Sequence, residues 1–298
     1  MTLPNFLIIG AAKGGTTSLY YYLSQHPQIY MSSLKEPRFF ALEGEKLNFQ
    51  NPDNSINYNS VTNLEDYRQL FAGVKDEVAI GEASPLYLYS SKAIERINHY
   101  VPQAKLIVIL RNPVDRAYSC YKHLISFESD SFANALKQED KRIAQNWAHL
   151  WHYKQGGYYY KQLKGYFDTF EREQIKVYLF DDLKSNPLEL VQDLYSFLEV
   201  DRSFVPDLTY KNVSNNPKVK ALQNIVNGRH FLRSASKAVV PENFRKIAAK
   251  KIRSWNSQKF DSMADDVKQQ LMEDYREDIL KLQDLIGKDL SHWLESSL

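Results

Sequence analysis

Glycine, lysine and hydroxyl residues are concentrated in one short stretch, Gly10-Ala11-Ala12-Lys13-Gly14-Gly15-Thr16-Thr17-Ser18. It follows the apolar run Phe6 to Ile9 and leads into a helical pattern, where a helix amino terminus offers N–H groups and a positive dipole end to an anion. Gly14 and Gly15 let the backbone approach such a ligand, Lys13 adds a charge, and Thr16, Thr17 and Ser18 add hydroxyl donors. This is the chemistry of a phosphate-binding loop. It is not the Walker A pattern, because the fifth residue after Gly10 is Gly15, followed by Thr16, and the lysine is displaced to position 13. A second apolar run ends in Arg111, where a Walker B strand would present an Asp to magnesium. With the metal-holding pair missing, a metal-free group transferase ranks above an ATP- or GTP-dependent kinase, which stays as the alternative enzyme. A glycine turn with no ligand is the bland reading of the same stretch.

Such a loop needs a strand to carry it and a helix to complete it. Phe6 to Gly10, Lys105 to Leu110 and Ile175 to Phe180 read as strands, with Val78 to Gly81 and Gln28 to Met31 as shorter candidates. Between them, helical spacing runs over Thr16 to Gln25, Leu64 to Ala72, Lys92 to Tyr100, Val114 to Phe127 and Tyr158 to Phe170. Strands alternating with helices predict an α/β fold with a central parallel β-sheet flanked by helices, since parallel strands need long crossovers. The carboxyl-terminal region reads as helical, over Leu188 to Leu198, Lys218 to Val226, Phe244 to Trp255 and Val267 to Ile286. Residues 43–62, rich in Asn and Ser, have loop composition suited to a mobile cover over a cleft.

Two separated motifs then point to one family. Lys13-Gly14-Gly15-Thr16-Thr17 after a strand resembles the 5′-phosphosulfate loop of sulfotransferases that use 3′-phosphoadenosine 5′-phosphosulfate (PAPS), above all the heparan sulfate branch and its bacterial relatives. Leu110-Arg111-Asn112-Pro113-Val114-Asp115-Arg116-Ala117-Tyr118-Ser119 resembles that family's 3′-phosphate motif. The likeness continues through Lys35-Glu36-Pro37-Arg38-Phe39-Phe40, Gly81-Glu82-Ala83-Ser84-Pro85, Gly157-Tyr158-Tyr159, Phe180-Asp181-Asp182-Leu183 and the ending Leu285 to Leu290 with Trp293. It covers nearly the whole chain, so it implies one domain over 1–298 with the P-loop NTPase-like sulfotransferase fold. The region 200–260 matches least, and the resemblance makes it a lid or acceptor-specificity region.

The resemblance assigns Lys13 and the N–H groups of Gly14, Gly15, Thr16, Thr17 and Ser18 to the 5′-phosphosulfate, with Lys13 also meeting charge on the leaving phosphate. It assigns Arg111 and Ser119 to the 3′-phosphate. A guanidinium fork suits a phosphate, and Ser119 follows Pro113 by roughly a turn and a half of helix. It makes Glu36 the general base, with Lys35, Arg38 and His123 as polar neighbours of second rank. Adenosine 3′,5′-bisphosphate (PAP) would be the product, no metal would be needed, and the acceptor would be a hydroxyl or amine, by family a carbohydrate. One departure stands out: several relatives carry lysine where this chain has Ala83, and Lys35 or Arg38 are the residues at hand to replace it.

Composition bounds these readings. Of 298 residues, 43% are hydrophobic and 25% charged, with 11 Gly and 11 Pro, which is the profile of an ordered globular chain. Its single cysteine, Cys120, cannot form an internal disulfide and fits a reducing compartment. No signal-peptide pattern opens the chain and no apolar run reaches membrane-spanning length, so the expected location is cytoplasmic. The net charge of +2 hides a basic block, residues 208–260, with twelve Lys and Arg against Glu242 alone. A lid over an anionic ligand explains that block; a non-enzymatic polyanion-binding module is the alternative, though no nucleic-acid partner is expected. His149 and His152 lack a third and fourth metal ligand, so they read as packed residues rather than a zinc site.

Overall fold

The computed structural model describes residues 2–209 and 263–295. The chain divides into a unit of Met1–Val213 with Asp265–Leu298 and a second unit, Ser214–Ala264. The helices expected at 218–226 and 244–255, and nearly all of the basic block 208–260, lie outside the described residues.

Five strands form the sheet: β1 (Phe6–Gly10), β2 (Ile29–Met31), β3 (Ala79–Ala83), β4 (Lys105–Leu110) and β5 (Ile175–Leu179). The described helices are α1 (Thr16–Leu23), α2 (Phe39–Leu42), α3 (Leu64–Gln69), α4 (Leu86–Tyr89), α5 (Ser91–Tyr100) and α6 (Pro113–Leu124). They continue with α7 (Phe132–Lys137), α8 (Glu139–Ala144), α9 (Tyr159–Thr169), α10 (Phe180–Ser185), α11 (Pro187–Phe197) and α12 (Asp265–Ile286). All strand pairs are parallel, in the order β2-β3-β1-β4-β5. Phe6 of β1 pairs with Gly81 on one side and Lys105 on the other.

Burial explains why the central strands read as unbroken apolar runs. Every residue of β1 is buried, and β4 is buried from Leu106 to Leu110. A strand covered on both faces has no solvent side on which to alternate. Phe6, Ile8, Ile107 and Ile109 pack with Leu19 and Leu23 of α1 and Leu190, Val191 and Leu194 of α11. Successive strand residues point to opposite faces, so Leu7, Ile9, Leu106 and Val108, also wholly buried, serve the other face. There α9 packs on α5, and α12 packs on α9 and α6.

The expected α/β architecture, with its helical carboxyl-terminal segment α12, is the observed one. Its boundaries move for local reasons. The last strand stops at Leu179 rather than Phe180 because the Asp182 carboxylate accepts from the Leu179 N–H at 3.3 Å and turns the chain into α10. β3 continues to Ala83, two residues past the expected end, carrying the buried Glu82. The unforeseen helices α2, α4, α7, α8 and α10 each span four to six residues. Helices so short hold only through tertiary packing and leave little periodicity to read. Segment 43–62 contains one 3₁₀ turn, Ser55–Asn57, and its ends are joined by Gly44 N–H donating to Thr62 O at 2.8 Å. No helix among the described residues is long and apolar enough to cross a membrane.

The β1–β3 register can be tested at Gly81, where an added Cβ would run into the Phe6 ring. Gly81→Ala is expected to cost about 1–3 kcal/mol by overpacking. Urea unfolding should show a lower midpoint with an unchanged slope, and an unchanged midpoint would contradict this packing.

Candidate functional site

The loop after β1 is tied to the neighbouring strand: the Ala11 N–H donates to Ile109 O of β4 at 2.9 Å. Lys13 and Gly15 take positive φ values, 68° and 114°, so the backbone curls before α1 begins. Gly15 caps α1 without any side-chain hydrogen bond to its first turn; its carbonyl accepts from the Ser18 N–H at 3.0 Å, the Gly14 N–H donates to Ala11 O at 2.9 Å, and the amides of Thr16 and Thr17 are the ones left at the helix start. A Cβ at Gly14 would strike the Ile109 carbonyl, and at Gly15 would press on Leu183, Phe180 and Ile109 at 3.0–3.2 Å. Thr16 and Ser18 are buried, while Lys13 and Thr17 are half-buried.

β4 delivers Arg111 to the same end of the sheet. Its guanidinium lies 4.9 Å over the Phe180 ring and 3.9 Å from Asp115, and its buried Nε has no hydrogen-bond partner. Tyr159 fixes the backbone there by donating its hydroxyl to Arg111 O at 2.9 Å. Asn112 caps α6 through its side chain, with Pro113 at the first helical position. One face of that helix carries Ser119, buried at 6% exposure, into the interior. A curled loop, an open helix start and a half-satisfied guanidinium form a cradle that suits a ligand with two anionic groups.

Glu36 reaches this edge through β3. Its N–H donates to Ala83 O at 3.0 Å, and the Arg38 N–H donates to the Ser84 hydroxyl at 2.9 Å. Both Glu36 and Arg38 sit at positive φ, 65° and 60°, so this segment is a tight, externally held turn. Lys35 Nζ and Arg38 Nη2 each donate to one Glu36 oxygen, at 2.6 Å and 2.7 Å. Burial pushes the Glu36 carboxyl up, but the charges of Lys35 and Arg38 outweigh it and hold it down at about 2. Thus Lys35 and Arg38 place their cations on the Glu36 carboxylate, and the Glu36 backbone is held at Ala83. His123 lies exposed in the last turn of α6.

One further group escaped the sequence reading, and another, His149, read there as a packed residue, lies at a cleft. Glu82 is wholly buried, accepts from the hydroxyls of Tyr87 and Tyr67, and is pushed up to about 7 by burial, with the nearby Glu36 charge adding to the effect. No sequence pattern marks an acid as buried. His149 lines a cleft with Ala11, Ala12, Tyr89 and Arg116, and its Nδ1 is buried without a partner. Burial, then the Arg38 charge, lowers it to about 3, so its ring is neutral. His152 is packed as expected, donating from Nε2 to Trp147 O at 2.9 Å and accepting the Tyr89 hydroxyl at Nδ1 at 2.8 Å.

Comparison with known proteins gives a consistent picture. A family described as "Sulfotransferase domain" matches residues 3–264. The crystal structure of a sulfotransferase from Alicyclobacillus acidocaldarius superposes with a TM-score of 0.79 at 34% identity, covering 99% of this chain and 100% of that one. The bifunctional heparan sulfate N-deacetylase/N-sulfotransferase 4 of Mus musculus is 32% identical over 206 residues, 66% of this chain. The membrane-associated sulfotransferase kil1 of Dictyostelium discoideum is 35% identical over 127 residues, 43% of this chain. These alignments span only 22% and 24% of the two longer relatives.

The clamp on Glu36 has a measurable sign. A carboxyl depressed by folding contributes stability above its ordinary value of 4.5, and that contribution is lost as pH falls toward about 2. Carbon-13 NMR of the Glu36 carboxyl should find it ionised at pH 4, and Arg38→Ala should move its titration up toward 4.5. A midpoint near 4.5 in the parent chain would show that the ion pairs do not hold.

Proposed function

This chain belongs to the sulfotransferase family, and from that premise we propose that it transfers a sulfuryl group, with PAPS as its donor and a hydroxyl or amine, by family a carbohydrate's, as its acceptor. The observation that carries the proposal is the Ala11–Ile109 hydrogen bond, which ties the phosphate loop to the strand ending in Arg111. A nucleotide with phosphate at both its 5′ and 3′ positions is the ligand that would use both strand ends at once. The name of the mouse relative supports a carbohydrate acceptor. Residues 1–298 are read as one sulfotransferase domain, supported by the length of the family match.

In this reading Lys13 and the N–H groups of Gly14 to Ser18 hold the 5′-phosphosulfate, while Arg111 and Ser119 hold the 3′-phosphate. The acceptor oxygen or nitrogen attacks sulfur in line. A new bond to sulfur forms as the bond from sulfur to the bridging oxygen breaks, and that oxygen leaves with the electron pair on PAP. Lys13 and the loop amides meet the charge growing on the leaving phosphate, and Glu36 takes the acceptor's proton. Positioning supplies much of the rate, and each step is accounted for by the chain's own residues without a metal. A cytoplasmic location is supported by the lone, buried Cys120.

Calorimetry should show PAP binding without metal, and ATP with magnesium as a weaker competitor. Arg111→Ala should weaken PAP about 10- to 100-fold, the value of a charged hydrogen bond, and leave adenosine 5′-monophosphate (AMP) unaffected. A preference for ATP with magnesium would favour the kinase alternative, and salt-dependent polyanion binding without PAP binding would favour the module. With sulfuryl transfer from PAPS to an N-desulfated heparan oligosaccharide as the assay, Glu36→Gln should lower kcat by roughly 10²–10⁴-fold with PAP affinity intact. Lys13→Ala should lower both kcat and PAP affinity. Normal turnover by the Glu36 variant would remove the base assignment.

A further inference from the structure

Arg116, in the second turn of α6, is among the largest fully buried side chains, with 2% exposure. Its hydrogen-bond partner is neutral: Nη2 donates to Tyr153 O, and Nε has no partner. Gly156 leaves room for it, since a Cβ there would sit 2.8 Å from Nη1. No carboxylate among the described residues forms an ion pair with it. Glu139, whose charge it feels, spends its two oxygens on the N–H groups of Lys154 and Gln155, at 2.6 Å and 2.7 Å. Burial acts to lower the Arg116 pKa, but Tyr159, Cys120, Tyr275 and Glu139 outweigh it and the guanidinium stays charged. A buried cation without a paired anion costs several kcal/mol. A fold that keeps one leaves a place for the anion.

The cleft beside Arg116 identifies that place. Its lining includes Ala11 and Ala12, the first residues of the phosphate loop, together with His149 and Tyr89. His149 is neutral, so this wall of the loop presents one positive charge and no negative one. We propose that Arg116 is the fixed counter-charge of the 5′-phosphosulfate, acting across Ala11 and Ala12 as a positioning residue that completes its ion pairing when the donor enters the loop. This rests on the PAPS reading. It adds a cation that neither the loop pattern nor the Arg111 motif assigns to the 5′ end, and it places that cation where solvent cannot screen it.

The test needs no acceptor. Arg116→Gln removes the charge but keeps a donor for Tyr153 O, and Arg116→Lys keeps the charge. The probes are PAP and AMP, read by calorimetry beside urea unfolding of the ligand-free proteins. The Gln variant should weaken both nucleotides by a common factor of about ten, the Lys variant should stay within about threefold of the parent, and the ligand-free unfolding midpoint of the Gln variant should lie at or above the parent's, because the buried charge is gone. That pattern differs from Arg111→Ala, which affects PAP alone. Parental affinity in the Gln variant would overturn the proposal, as would equal losses in Gln and Lys together with a lowered midpoint, the mark of a packing role. A parent chain that bound neither nucleotide would instead overturn the PAPS reading, and this inference with it.

Discussion

The parallel pairing of β1 between β3 and β4 is the constraint on which the site depends. Parallel strands bring their carboxyl ends to one edge, and each of these three delivers a different chemical part there. The glycine- and hydroxyl-rich loop leaves β1, the Ala83 carbonyl and Ser84 hydroxyl at the end of β3 hold the backbone of Glu36 and Arg38, and Arg111 follows directly on β4. An antiparallel pairing at either side would send one of these parts to the opposite edge of the sheet. The buried runs of β1 and β4 therefore serve function as well as stability. Ligands of open α/β sheets bind at such carboxyl edges for this geometric reason.

Charge at that edge is arranged by depth. Near the surface, Glu36 meets two cations and is held ionised at about 2, while the wholly buried Glu82 rises to about 7 and the half-buried His149 falls to about 3. The same physics drives all three: burial favours the neutral form unless an opposite charge is in contact. Arg116 breaks the pattern, since a guanidinium cannot give up its proton and, although it feels the Glu139 charge, no carboxylate among the described residues is in ion-pair contact with it. The charge that Arg116 holds behind the loop thus cannot titrate away.

Much of this was legible in the sequence, unevenly. The strands around the site could be read because full burial leaves continuous apolar runs, and the loop because glycines and hydroxyls must occupy a curled backbone before a helix. Glu36 carried no local signal. Its turn at positive φ is held by Ala83 and Ser84, distant in sequence, so only the resemblance of Lys35 to Phe40 to a family motif singled it out. Glu82 and Arg116 went unread for a related reason, because burial of a charge is a property of what packs over it. Short helices such as α4 were missed likewise, since Leu86–Tyr89 is held against β1, α5 and α9 rather than by its own periodicity.

The depressed pKa of Glu36 bears on the order of events in the proposed transfer. A carboxylate near 2 is too weak a base to take a proton from an intact alcohol, whose own pKa lies far higher. Once the oxygen has begun to bond to sulfur it acquires oxonium character, and its proton becomes far more acidic than a carboxylic acid. Glu36 is then basic enough, so proton transfer must accompany or follow bond formation. The ion pairs that weaken the base also keep it charged at pH values above about 2 and fixed in place. Lys35 and Arg38 exchange basicity for readiness, which suits a reaction whose proton is released late.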